Sequence, residues 1–426
     1  EMPLASSFVL SKKKGKEAYI QPIIEGNKIR YEVKRGKNAP EPPKISRGKF
    51  KCVFCGSPVD GGYIKAEGVA KRIGVQLMAV VAEGDRGRLY ITPDDEQKKA
   101  AFCPLPEDVP NGELIGKAAD QLPLYGYMTF SELFTNRQLT ALTTFSDLVA
   151  EAKEKIIEDE GSKEYAQAVC AYLAFAIDKL SIYSNALCTW LNQPKNEIVG
   201  NSFGRQALPM VWDFAEANQF ASAGGTITNQ IEYICKYLSM CSPVASIDGF
   251  AVQQDAQTDN GLRDIMVSTD PPYYDNICYA DLSDFFYIWL RKNLKNEFPD
   301  LFGTMLVPKA EELIASTYRF DGSREKAYHF FEDGMLKTFA QINTYVRDDI
   351  PTTVYYAYKQ SEDDSNSNTA STGWETMLSA IIQAGFAITG TWPVRTERDG
   401  RMIGNGTNAL ASSIVLVCRK RPADAP

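Results

Sequence analysis

The stretch best suited to chemistry is Asp270-Pro271-Pro272-Tyr273, followed by Tyr274, Asp275 and Asn276. Two consecutive prolines fix their own φ and donate no backbone hydrogen bond, so whatever flanks them is held in one arrangement. Such a turn presents the Asp270 carboxylate and the carbonyl oxygens of Pro271 and Pro272 as acceptors, with the ring of Tyr273 beside them. That set suits a planar ring bearing an exocyclic amine. The amine of adenine or cytosine is a poor nucleophile because its lone pair is delocalised. Two acceptors draw the lone pair toward tetrahedral geometry and stabilise the positive charge that develops as a methyl group is attacked. The base has to leave its duplex first, and an aromatic face offsets part of the unstacking cost. Asp-Pro-Pro also occurs as an ordinary turn, so the surrounding elements decide its meaning.

Two other groups of residues carry potential chemistry. Cys52 and Cys55, in "KCVFCGSP", have the spacing of half a zinc knuckle, but a structural zinc takes four ligands. Cys103 is the only thiol nearby, and the single histidine, His329, lies far along the chain. Lys12, Lys13, Lys14 and Lys16 open a segment in which residues 1–50 hold twelve cations against five glutamates. This is a phosphate-facing surface or a solvated β-rich face, within a chain whose net charge is −8. One histidine gives little support to Ser-His-Asp or Cys-His catalysis. No Pro-Cys dipeptide occurs for a C5-cytosine nucleophile, and no Walker-type loop for ATP hydrolysis.

The elements that must position these residues are legible from period and punctuation. A chain of 426 residues is long enough for about two or three domains. No window reads as a membrane span, because "AVCAYLAFAIDKLSIY" is broken by Asp178 and Lys179. The N-terminal charges follow the apolar run, the reverse of a secretory signal, and the nine cysteines form no framework, so a cytoplasmic protein with reduced thiols is expected. Residues 1–125 alternate short strand-like runs with Gly, Pro and Lys turns, which predicts a β-rich basic domain. Residues 126–245 lengthen to helical period: one helix from "TNRQLTALTTF", capped at Thr135 and Asn136, a second over "KEYAQAVCAYLAFAIDKLSIYSNALCTWL", a third over "GGTITNQIEYICKYLSMC". Residues 246–426 repeat strand, turn and helix, the texture of a parallel α/β sheet. There "DGFAVQQDA" predicts a strand ending on Asp255 and "RDIMVSTD" one ending on Asp270, with "ADLSDFFYIWLRKNL" as a helix behind the latter. Both carboxylates then stand outside the carboxyl ends of strands, where open α/β sheets bind ligands. Trp392, Arg395, Thr396, Asn405 and Asn408 are expected at the same edge, and 361–373 as a loop.

The motif resembles the D-P-P-Y signature of the amino-methyltransferases that modify adenine N6 or cytosine N4 in DNA. More of the chain, including "SFVLSKKKGKEAYIQP", "CVFCG", "FGRQALPMVWDFAEAN", "TDPPYYDNICYADLSDFFYIWLR" and "NALASSIVLVCRKR", is similar to bacterial proteins described as DNA methylases with a zinc-ribbon-like insertion, found near anti-phage genes. The resemblance implies part of a Rossmann-like sheet that binds S-adenosylmethionine, a β-rich ribbon-like domain and a helical insertion that reads the target. It implies DNA and phage-defence proteins as partners, and no membrane. By position, Asp270 would accept from the target amine and contact the cofactor, Pro271 and Pro272 would supply carbonyl oxygens, and Tyr273 would stack on the flipped base. Asp255 would meet the cofactor's adenine or, as a simpler alternative, cap the next helix. Cys52 and Cys55 would be metal ligands, and Lys12, Lys13 and Lys14 would face nucleic acid.

One departure from the family is plain. No glycine-rich turn of the F-x-G-x-G kind precedes Asp255, and the expectation is a fragment that starts downstream of the first strands and of half a zinc site. Two functions therefore stay open: a DNA amino-methyltransferase, most simply at adenine N6, and a non-catalytic DNA- or RNA-binding module derived from one. A lesser option keeps the chemistry and moves it to RNA or a glutamine amide.

Overall fold

The computed structural model describes residues 2–46, 48–85, 87–195, 197–203, 206–241, 249–274, 277–356, 372–394 and 413–422. Asp275, Asn276, Arg395, Thr396, Asn405, Asn408 and nearly all of 361–373 lie outside the described residues. Along the chain the elements are β1 (Val9–Ser11), β2 (Ala18–Glu25), β3 (Lys28–Arg35), β4 (Lys44–Ser46), β5 (Lys49–Lys51), β6 (Pro58–Val59), α1 (Gly61–Val69), β7 (Val80–Gly84), β8 (Gly87–Ile91) and α2 (Asp95–Ala100). There follow α3 (Asn136–Glu158), α4 (Lys163–Ser181), β9 (Thr189–Asn192), β10 (Glu197–Gly200), α5 (Ile227–Met240), β11 (Ser268–Thr269), α6 (Tyr279–Leu294), α7 (Arg324–Tyr345), β12 (Thr352–Tyr356), α8 (Thr372–Gln383), β13 (Phe386–Val394) and β14 (Ser413–Lys420). Among the described residues the fold is mixed α/β, with several small sheets and no closed barrel. No described helix is long and apolar enough to cross a membrane. The chain divides into two compact units, Glu1–Ser246 with Asp281–Val307, and Ile247–Ala280 with Pro308–Pro426.

In the first unit, alternating Ala18, Ile20, Ile29 and Tyr31 put one face of the antiparallel β1–β2–β3 sheet into a small core with Phe8 and Leu10. A second sheet, β4–β5–β6, carries the Cys52–Cys55 turn, and β7–β8 and β9–β10 are hairpins. The larger core is helical. Thr135 caps α3 in a capping box with Gln138, while Asn136 is already the first helical residue and donates from Nδ2 to Cys103 O at 2.9 Å. Leu139, Leu142 and Val149 of α3 meet Cys170, Ile177 and Leu180 of α4 and Phe285, Ile288 and Trp289 of α6. The second predicted helix stops early, at Ser181. Asn185 folds back, donating to Ser181 O at 2.8 Å and accepting from Leu187 N at 2.9 Å, and "TWLN" becomes strand β9. The helix predicted behind the Asp270 strand forms as α6, but from Asp281 onward its residues belong to the first unit.

The second unit is a four-stranded sheet in the order β11–β12–β14–β13. Among the described residues β11 and β12 are the one pair of named strands that runs in parallel, and β14 runs antiparallel to both its neighbours. This corrects the expectation of a parallel sheet: among the described residues β14 lies between β12 and β13 and runs antiparallel to both. Thr352, Val354 and Tyr356 of β12 and Leu416 and Cys418 of β14 are buried with Phe331, Met335 and Phe339 of α7 and Met377 and Ile381 of α8. The predicted strand at 249–255 does not form. Extended backbone needs a neighbour for its N–H and C=O groups. This segment pairs with none among the described residues, and it runs into a turn held by Asp255, which accepts from Gln257 N at 2.9 Å.

Candidate active site

The strand that delivers Asp270 is short, but its pairing extends backward. Arg347 N donates to Ile265 O at 3.1 Å, and Thr353 N to Val267 O at 3.1 Å, so 265–269 runs alongside the approach to β12. The chain then leaves the sheet at the two prolines. Asp270 is exposed; Pro271, Pro272, Tyr273 and Tyr274 are half-buried. The register Thr269↔Val354 brings the turn level with the last residues of β12, at the carboxyl ends of this parallel pair.

What the turn meets there is aromatic. The Tyr273 ring lies 5.7 Å from that of Tyr356, edge to face at 76°, and Tyr356 stacks on Trp374 at 5.9 Å and 26°. Tyr274 turns the other way, its ring 5.2 Å from Phe331 of α7. Tyr274 O accepts from Ala315 N at 2.7 Å, which fixes the turn from below. Gly373 permits the approach of α8: a Cβ there would lie 2.7 Å from Tyr274 Cβ. Tyr273, Tyr356 and Trp374 thus form one continuous aromatic wall beside an exposed carboxylate.

A second layer flanks the turn. Glu312 accepts from Ala280 N at 3.0 Å and pairs with Arg319 at 2.7 Å, both side chains largely buried, so the pair ties the start of α6 to the loop before α7. Tyr279 faces this pair and the Asp270 side. Its phenol is raised above the ordinary tyrosine value by burial, and further by the carboxylates of Asp270 and Glu312. It therefore stays protonated, a hydroxyl rather than a phenolate near the acceptors.

The other predicted site residues are placed differently. Trp392 reaches the same edge of the sheet, level with Val415 and hence with Tyr355, but three strands from β11, about 14 Å at ordinary strand spacing, and it is exposed. Asp255 closes no strand. Its Oδ1 accepts from both the backbone N and the Nε2 of Gln257, at 2.9 and 3.3 Å. Lys12, Lys13 and Lys14 are exposed on the turn between β1 and β2. Cys52 and Cys55 sit in a tight turn between β5 and β6, where Gly56 N donates to Cys52 O at 2.8 Å and Gly56 itself is left-handed at φ +75°. Hydrogen bonding from Ser57 pulls the Cys55 thiol below its ordinary value. The sequence reading missed Tyr356, Trp374, Glu312 and Arg319. The "VYYAY" and "GWE" strings pointed to aromatic strand and helix ends, but nothing in them indicated which ring would meet Tyr273.

Neither implied group finds a full set of partners. S-adenosylmethionine needs a glycine-rich backbone approach and an acidic strand end beside the Asp270 strand. Among the described residues the outer edge of β11 has no neighbour, and Asp255 is committed to its own turn. The described residues do not fit the cofactor. For zinc, no group of three or more candidate ligands exists among the described residues, and Cys103 is engaged elsewhere, 3.3 Å from Thr140 Oγ1.

Compared with known proteins, the chain matches no family model, no curated protein and no solved structure.

Proposed function

We propose that the chain is the base-holding part of an S-adenosylmethionine-dependent DNA methyltransferase that modifies the exocyclic amine of a flipped base, adenine N6 in preference to cytosine N4. One observation carries the reading: an exposed carboxylate and two proline carbonyls follow a parallel strand directly, beside a wall of three aromatic rings at the carboxyl end of its neighbour. A flipped base stacked on Tyr273 would put its amine within reach of Asp270. The carboxylate would accept one amine hydrogen and a proline carbonyl the other. Both bonds strengthen as the nitrogen becomes positive, so they stabilise the transition state more than the ground state. The Tyr279 hydroxyl, kept neutral by burial and the nearby carboxylates, adds no negative charge beside Asp270.

The test is transfer of a labelled methyl group to unmethylated duplex DNA, with digestion to nucleosides to identify the product, alongside calorimetric titration with S-adenosylmethionine. Where methyl transfer is detected, Asp270→Ala is expected to lower turnover by about 100-fold or more with folding unchanged, as for loss of a transition-state acceptor. Full activity in that variant would refute the mechanism. The missing cofactor partners favour a second reading, a nucleic-acid-binding module without turnover. DNA binding with neither cofactor binding nor methyl transfer would establish it in place of the first.

A further inference from the structure

Far along the chain from the Asp270 turn, within the first unit, the tips of three hairpins converge on a surface recess. The β1–β2 turn contributes Lys13 and Lys16, β8 contributes Arg88 and Tyr90, and the β9–β10 turn contributes Lys195, with Glu197 beside it. Four cations face one carboxylate. That carboxylate is engaged, because Ser11 Oγ donates to Glu197. Lys13, Arg88 and Lys195 enter no ion pair among the described residues. Four cations against one carboxylate leave an excess of positive charge, which an anion relieves.

The walls are braced. Trp190 Nε1 donates to Leu10 O at 2.7 Å and Asn192 Nδ2 to Val9 O at 2.7 Å, which fastens β9 to β1. Arg88 lies 5.8 Å over the Trp190 ring, so its guanidinium is held in place. Burial and the Glu197 carboxylate push the Tyr90 phenol up to about 12, which keeps it a hydrogen-bond donor. The recess measures about 180 Å³, below the roughly 300 Å³ at which small-molecule sites begin. It is of a size to seat a phosphate group. Lys12 and Lys14, exposed on the same turn, continue the positive surface beyond its rim.

We infer that this recess seats a backbone phosphodiester of DNA, with Arg88 and Lys195 as its donors and Lys12 to Lys16 following the strand beyond it. The inference rests on the reading that DNA is the partner, and it adds residues that the basic run at the N-terminus did not indicate. The experiment is fluorescence anisotropy of a labelled duplex with the full chain, between about 50 and 200 mM salt. Arg88→Gln/Lys195→Gln and Lys13→Gln/Lys16→Gln are compared with Lys98→Gln/Lys117→Gln, which removes two cations elsewhere on the surface; melting curves check that each folds. Each recess pair is expected to weaken binding about tenfold at 100 mM salt and to lower the log–log salt slope by about one, with the control pair unchanged. If the wild type binds duplex and the recess variants match it in affinity and slope, the inference is overturned and the DNA reading stands. If all three pairs weaken binding equally, the recess is not a site. If inorganic phosphate displaces the duplex beyond its effect on ionic strength, the recess is a free-phosphate site and the inference is again overturned. No duplex binding by the wild type would overturn the DNA reading itself.

Discussion

Asp178 lies on α4 with its carboxyl Oδ1 enclosed and unpartnered among the described residues. Burial raises its carboxyl well above the ordinary range, against a smaller opposing pull from Lys179. A raised carboxyl makes its contribution to stability in full below the unfolded value near 4, and that contribution is lost as pH climbs through the folded value. Asp178→Asn is therefore expected to raise stability at pH 7 by about 1–3 kcal/mol and to flatten the decline between acid and neutral pH, read by urea unfolding at several pH values. At this scale the sequence was most informative where a residue type is rare in its setting. Two prolines after an apolar run marked the Asp270 turn, because nothing else in a strand explains them. Tyr356 and Trp374 were not legible, since aromatic residues in strands and helices are ordinary core, and only the register of β11 on β12 brings them to Tyr273. Asp255 was misread because a polar residue after apolar ones looks like a strand end whether or not a partner strand exists.

Helix α1 shows how closely an element can be tied to its neighbour by one missing side chain. A Cβ on Gly68 would lie 2.5 Å from Tyr125 O and 2.7 Å from Tyr125 C, both backbone atoms. The contact is reciprocal: Gly126, left-handed at φ +91°, would place a Cβ 2.0 Å from Gly68 O. Neither side can yield without moving main chain, so Gly68→Ala is expected to cost about 1–3 kcal/mol, with a correspondingly lower midpoint in thermal unfolding. An unchanged midpoint would mean that the two segments separate freely. The start of α3 was legible, since Thr135 caps it as an N-terminal oxygen should; Ser162 and Thr226 cap α4 and α5 in the same way without having been singled out in the sequence. The end of α4 was not legible, because Asn185 competes through its side chain with a helix that apolar period alone would continue. The direction of β14 was not legible either, since an eight-residue apolar strand reads the same whichever way it runs.

At the scale of the whole molecule, the first unit is discontinuous in sequence. Phe285, Ile288 and Trp289 are buried in its helical core, with Phe134 stacked on Phe285 at 5.6 Å and edge-on to Trp289 at 5.5 Å. Removing such side chains costs about 2–5 kcal/mol each, comparable in sum to the whole stability of about 5–15 kcal/mol for a domain. A polypeptide of residues 1–246 is therefore expected to lack cooperative unfolding and to bind an apolar dye, while rejoining 281–307 through a flexible linker restores a single transition. Cooperative unfolding of 1–246 alone would show that the α6 contacts are dispensable. Composition and period cannot reveal this arrangement, because a helix after a strand looks local and the rings that Phe285 meets, Phe203 and Phe134, lie 82 and 151 residues away. The same discontinuity bears on synthesis. A ribosome adding about 5–20 residues per second delivers Trp289 and its neighbours several seconds after residue 246, and only after the proline-fixed turn at Asp270 has emerged. For that interval the helical core has a hole where α6 belongs, and the nascent chain offers a greasy surface to chaperones before either unit is whole.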